Sequence, residues 1–264
     1  MTTRIHVAYH GHTAWLTLDN PPANTWNEAG LATLARLMDE LHERPEIVAL
    51  VLTGAGEKFF CAGADLHQFA SGDAEVAQRV GEAFGRAFDA LADFAGVSIA
   101  AINGFAMGGG LELALACDIR IAEQQAVLAL PEASVGLLPC AGGTQRLTEL
   151  VGPGWAKRMI LCGERVDAPL AHQIGLVEQL VPRGHGREAA RLLAEQAERQ
   201  SPAALRACKR LINEGRHRPQ AQVLPLEREQ FTALFSDPNQ REGVQAFLAK
   251  RPARWRYREG EEND

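Results

Sequence analysis

Apolar residues along this chain follow two periods, and the switch from one to the other sets out the elements. Alternation at Ile5-His6-Val7-Ala8-Tyr9 and at Ala14-Trp15-Leu16-Thr17-Leu18, with Gly11 between them, predicts a β-hairpin. After a break at Asn20-Pro21-Pro22-Ala23-Asn24, Leu31, Leu34, Leu37, Met38 and Leu41 recur with helical spacing. The apolar run from Ile47 to Thr53 predicts a buried strand, closed by Gly54-Ala55-Gly56. The order then repeats: a helix over 76–94, a strand over 98–102, a glycine loop, a helix from Leu111 and a strand over 118–122. Strands alternating with helices predict an α/β arrangement with strong parallel character. Beyond Pro182 the strand signal fades, and helices are expected over 187–200, 202–214, 223–235 and 241–250. The division expected is therefore a core over 1–199 and a helical C-terminal region over 200–264, ending in a frayed acidic tail at 259–264.

Composition narrows the classes. With 264 residues and 46% hydrophobic content, the chain can bury a substantial core. A net charge of −6 argues against a general affinity for nucleic acid or anionic lipid. The five cysteines are scattered singly with no C-x-x-C spacing, so reduced thiols and no metal site are expected. No apolar stretch approaches the roughly 18 residues needed to span a membrane, and residues 1–6 do not resemble a signal peptide. A soluble cytoplasmic protein is the expectation.

Two glutamates sit in segments too apolar to hold a carboxylate without a reason. Glu112 follows Gly108-Gly109-Gly110 and lies within Leu111 to Cys117; Glu132 follows Pro131 at the end of Val127-Leu128-Ala129-Leu130. Burying an ionised carboxylate is costly unless it is paired or used for chemistry. Glu112, in the first turn of a helix, is expected to be held ionised by the helix dipole, as suits a base. The loop before it leaves N–H groups free to bind a developing anion. A second loop, Lys58 through Leu66, could add another N–H, or could be an ordinary strand-to-helix turn capped by Asp65. Neither the glycine loop before Glu112 nor Gly54-Ala55-Gly56 fits G-x-G-x-x-G, so a nicotinamide or flavin has little support. Cys61 and His67 lack the companions of a nucleophile or base.

Three blocks carry a family resemblance: Phe60-Cys61-Ala62-Gly63-Ala64-Asp65-Leu66; Asn103-Gly104-Phe105-Ala106-Met107-Gly108-Gly109-Gly110-Leu111-Glu112-Leu113-Ala114; and Leu130-Pro131-Glu132 followed by Gly142-Gly143-Thr144-Gln145-Arg146-Leu147. In order and spacing the chain resembles the crotonase, or enoyl-CoA hydratase/isomerase, superfamily from about residue 5 to about residue 257. The resemblance implies a spiral of ββα units, with C-terminal helices that pack homotrimers, commonly paired into hexamers. It implies that the N–H groups of Ala64 and Gly109 form an oxyanion hole for an acyl-CoA thioester. It further implies that CoA runs along Ala62, Ala64, Asp65 and Leu66, with Phe231 and Lys250 contributing, often from a neighbouring subunit.

Hydratases of this family carry glutamates at both positions, whereas typical isomerases keep only the one matching Glu132. Retention of both points to hydration of a 2-trans-enoyl-CoA by Glu112 and Glu132 as in fatty-acid degradation, with no metal or redox cofactor. An isomerase or another acyl-CoA lyase of the family is the alternative, and an RNA-binding role would need a basic stripe. Two departures stand out: no positive charge in 20–26, and Cys140 where glycine is usual.

Overall fold

The computed structural model describes residues 4–257. The tail expected at 259–264 lies outside the described residues. β1 (Arg4–His10) and β2 (Thr13–Asp19) pair antiparallel around Gly11, as the alternation predicts. α1 (Glu28–His42) starts where the Asn27 side chain accepts a hydrogen bond from the Gly30 N–H at 2.8 Å, and it buries the predicted leucine stripe.

From there one pattern recurs: a long strand, a three-residue strand, then a helix. β3 (Ala49–Gly54) leads to β4 (Phe59–Cys61) and α2 (Ala74–Ala92). β5 (Val97–Ile102) leads to β6 (Phe105–Met107) and α3 (Gly109–Ala116). β7 (Ile119–Glu123) leads to β8 (Val127–Ala129), a 3-10 turn at Glu132–Val135 and α4 (Gly143–Leu161). β9 (Val166–Asp167), α5 (Ala168–Gln173) and β10 (Gln179–Val181) complete the core. These are ββα turns of a spiral. The long strands make a six-stranded sheet in the order β1-β2-β3-β5-β7-β10, and the short ones a second sheet, β4-β6-β8-β9.

The first sheet is covered on both faces, which is why β3 reads as a continuous apolar run instead of an alternation. One face packs against Ala190, Ala194 and Ala197 of α6 (Gly186–Glu198), and the other against the main core holding Leu50, Leu52, Phe60 and Phe88. The C-terminal helices fall where the periodicity places them: α7 (Pro202–Gly215), α8 (Gln220–Ala233) and α9 (Pro238–Leu248). Lys209 of α7 fastens this region to the core through the Asp118 carboxylate at 2.7 Å and the Gly96 carbonyl at 2.9 Å. Phe231, Phe235, Phe247 and Leu248 stay exposed on its surface. No helix among the described residues is long and apolar enough to cross a membrane.

Two expectations need correction. The segment 103–110 is not one loop, because Phe105–Met107 forms β6 between β4 and β8. α3 begins at Gly109, two residues before the expected start, since its glycines still adopt helical geometry when flanking strands fix them.

Two buried amides hold the turn after β3: Asn24 Nδ2 donates to the Ala55 carbonyl at 3.1 Å, and Asn103 bonds on both sides of it. Asn103 Oδ1 accepts from the Gly54 N–H at 3.0 Å, and its Nδ2 donates to the Gly56 carbonyl at 2.9 Å. Asn103→Ala leaves the buried Gly54 N–H without its partner, and an unpaired buried group costs about 1–3 kcal/mol. Urea unfolding should show a lower midpoint with an unchanged slope; a wild-type midpoint would contradict this role.

Candidate active site

The second sheet explains how segments far apart in sequence meet. β4, β6 and β8 are adjacent and parallel, so their C-terminal ends lie side by side. A site block leaves each of these ends: Ala62 to Leu66 after β4, Gly108 to Glu112 after β6, and Leu130 to Glu132 after β8.

Ala64 forms an isolated parallel bridge with Trp26. The Trp26 N–H donates to the Gly63 carbonyl and the Asp65 N–H donates to the Trp26 carbonyl, both at 2.8 Å. Backbone alternation therefore turns the Ala64 N–H away from Trp26. That N–H has no protein acceptor among the described residues, and neither does that of Gly109, the first residue of α3. The two strand ends approach closely: a Cβ at Gly63 would stand 3.3 Å from the Gly109 nitrogen. Two unclaimed donors at a strand end and a helix start make a cradle for a developing oxyanion. Beneath it lies Phe84 of α2, whose ring would sit 2.8 Å from a Cβ at Gly109.

Glu112 is 2% exposed. Its Oε1 accepts from the Ala141 N–H at 2.7 Å and the Gly143 N–H at 2.9 Å, while Oε2 accepts nothing among the described residues. Glu132 opens its 3-10 turn, half-buried, with a buried Oε2 that has no partner among the described residues. Gly108 brings the two together. Its φ of +52° is open to glycine, and any Cβ there would lie 2.9 Å from Glu132 Oε1.

Burial is the largest influence on both carboxyls. It pushes Glu112 up, against the two backbone N–H groups and the Arg146 charge, which pull it down. The helix start expected to favour the ionised form of Glu112 is thus opposed by desolvation. Glu132 is pushed up to about 7, by burial first and by the Glu112 charge as well, with its own backbone N–H opposing. The Cys140 thiol, exposed on the loop before Ala141, is pushed up to about 11 by desolvation and then by both carboxylates. Cys61 is buried, and desolvation pushes its thiol up to about 12.

The other candidates are less closely gathered. Asp65 caps the 3-10 turn Leu66–Phe69 by accepting from the His67 N–H at 3.1 Å, so the structural role is real, and Leu66 is half exposed beside it. Ala62 donates its N–H to the Ala23 carbonyl at 3.0 Å. Phe231 packs its ring against Phe235 on the outer face of α8, and Lys250 follows the end of α9. Neither shares a hydrogen bond or ion pair with the glutamates among the described residues. Among those residues, no group of three or more His, Cys, Asp and Glu could hold a metal ion.

The backbone clamp on Glu112 and a third buried carboxylate, Glu123, escape sequence reading. Glu123 is 5% exposed, with Oε1 taken by the Gly186 N–H and Oε2 by the Gly184 N–H and Gln125. Both of its oxygens are spent holding the start of α6. Among the described residues Glu112 keeps its Oε2 unspent and Glu132 its buried Oε2, and that difference marks them as chemical groups.

A profile of the family described as enoyl-CoA hydratase/isomerase matches residues 10–258. The solved structure of Pseudomonas aeruginosa DspI superposes with a TM-score of 0.94 at 60% identity, covering 96% of both chains. The 2,3-dehydroadipyl-CoA hydratase of Escherichia coli is 39% identical over 89% of this chain and 92% of its own. The short-chain-enoyl-CoA hydratase of Clostridium acetobutylicum is 36% identical over 91% of this chain and 93% of its own.

A carboxyl raised from 4.5 to about 7 in the folded state binds its proton more tightly there than in the unfolded chain. Stability therefore falls as pH rises from about 4.5 to about 7, and the full penalty persists above that. Glu132→Gln removes the penalty. Its Tm should exceed that of the parent at pH 8, with the gain shrinking towards pH 5; a gain independent of pH would contradict the shift.

Proposed function

The chain belongs to the enoyl-CoA hydratase/isomerase family, and from that premise we propose that it hydrates 2-trans-enoyl-CoA to 3-hydroxyacyl-CoA. The observation that supports this reading best is the pair of raised carboxyls, each with an Oε2 unspent among the described residues, beside two unclaimed N–H donors. Isomerisation needs a single proton shuttle, whereas hydration needs a water gripped from two sides.

In the proposed mechanism the thioester oxygen lies between the N–H groups of Ala64 and Gly109. Charge accumulates on that oxygen as the β-carbon is attacked, and a preorganised donor there is worth about 3–4 kcal/mol. The water sits between Glu112 Oε2 and Glu132. Ionised Glu112 takes one of its protons as the oxygen bonds to the β-carbon, and protonated Glu132 gives its own to the α-carbon. Return of a proton from Glu112 to Glu132 resets the pair. A value near 7 lets Glu132 serve as acid at neutral pH. The two titrate as a coupled unit, in which one proton shared between them is the working state. The chemistry uses no metal or redox cofactor, since the thioester supplies the electron sink.

The CoA path along Ala62, Asp65 and Leu66 belongs to the same proposal, as do contacts from Phe231 and Lys250 of a neighbouring copy. Helices from residue 200 onward would bury Phe231, Phe235, Phe247 and Leu248 between copies in a trimer or a pair of trimers. Light scattering on the eluting protein should give three or six times the chain mass; a monomer at micromolar concentration would contradict that assembly.

Loss of the conjugated absorbance of a 2-trans-enoyl-CoA tracks the reaction directly. Glu112→Gln and Glu132→Gln should each lower kcat by at least about 100-fold, the low end for a positioned acid or base. An isomerase would survive Glu112→Gln, and absence of hydration across several chain lengths would sink the reading.

A further inference from the structure

The two N–H groups that hold Glu112 belong to a turn fixed by the Gln145 and Arg146 N–H groups on the Gly142 carbonyl, by burial of Ala141, and by one side chain that ties it to another helix. Ala141 and Gly143 donate to Glu112 Oε1, and between them Gly142 takes a φ of +94°. Arg146, one turn into α4, folds back over this turn. Its Nη1 donates to the Ala141 carbonyl at 2.9 Å, and its Nη2 meets Asp89 Oδ1 of α2 at 3.1 Å. A Cβ at Gly142 would lie 2.7 Å from Nη1, so the guanidinium packs directly on the turn.

We propose that Arg146 is a positioning residue for the reaction: it locks the turn at 141–143 against α2, so that both N–H groups stay aimed at Glu112 Oε1 and leave Oε2 free for water. This role rests on the enzyme being a hydratase. One residue links the two contacts through the peptides on either side of it: the Ala141 carbonyl accepts from Arg146, while the Ala141 N–H donates to Glu112. A guanidinium suits the task since its planar fork reaches the Ala141 carbonyl and Asp89 together, which a lysine ammonium cannot do in the same geometry.

Arg146 also acts on Glu112 by charge, pulling its carboxyl down against burial. The other titratable groups facing this carboxyl are Glu132 on its 3-10 turn and the Cys140 thiol on the loop, both pushed up by burial first and by the Glu112 charge in addition. Arg146 is the cation that opposes this cluster, and its loss leaves Glu112 harder to ionise.

Arg146→Gln and Arg146→Lys separate the two effects. Arg146→Gln should lower kcat by about 10- to 100-fold, the cost of misplacing a catalytic group by roughly an ångström. KM should stay within about threefold because the oxyanion donors are untouched. The acid limb of its kcat–pH profile should move to higher pH. Arg146→Lys keeps the charge and should hold the limb in place while still losing kcat; if the glutamine variant fails to fold, this split carries the test. Parental kcat and an unmoved limb in Arg146→Gln would overturn the proposal, as would full activity in Arg146→Lys. A readout independent of turnover is the carbon-13 carboxyl titration of Glu112, whose midpoint should rise in Arg146→Gln. Should the parent hydrate no enoyl-CoA, the hydratase reading fails alone, and an unchanged midpoint in Arg146→Gln would overturn the role of Arg146 separately.

Discussion

Everything at the site depends on the parallel pairing of three short strands. β4, β6 and β8 bring Cys61, Met107 and Ala129 to neighbouring ends of one small sheet. None has more than three residues, too few to be stable alone, and each is held by the long strand preceding it in the six-stranded sheet. The site blocks inherit their mutual distance from this register. A slip at any one strand would turn an N–H or a carboxylate to the wrong side.

On that frame, chemistry is assigned by what each polar group has left to give. Glu123 and Glu112 are both buried and both take backbone N–H groups. Glu123 uses both oxygens and fixes a helix start, whereas Glu112 uses Oε1 alone. Glu132 has an Oε2 buried without a partner among the described residues. Buried unpaired polar atoms are uncommon because they cost stability, and an enzyme can carry such a cost where substrate or water completes the set. The raised carboxyls come from the same arrangement: burial acts on both, and their mutual repulsion adds to it.

Much of the fold was legible because long elements declare their period. The leucine stripe of α1 and the apolar run of β3 each report one environment along their whole length. The three-residue strands cannot do this. Phe105–Met107 lies among glycines and reads as loop, and only its neighbours β4 and β8 make it a strand. Glu112 and Glu132 stand out in the sequence because they interrupt apolar runs, and Ala64 and Gly109 came through family resemblance. The clamp on Glu112 was not legible. It joins residue 112 to 141 and 143 through backbone groups, which carry no side-chain signature. The upward push on Glu112 was not legible for a related reason: the helix start is visible in sequence, while the depth of burial that opposes it is a property of packing.

If Glu112 and Glu132 act as one device on a single water, their contributions to turnover cannot be separated. A double-mutant cycle in the hydration assay decides this, because residues that work as a unit lose activity in a non-additive way. Glu112→Gln combined with Glu132→Gln should lose about as much kcat as the worse of the two single variants. A double variant whose loss is the product of the two single losses would show two independent contributions and contradict the shared-water mechanism.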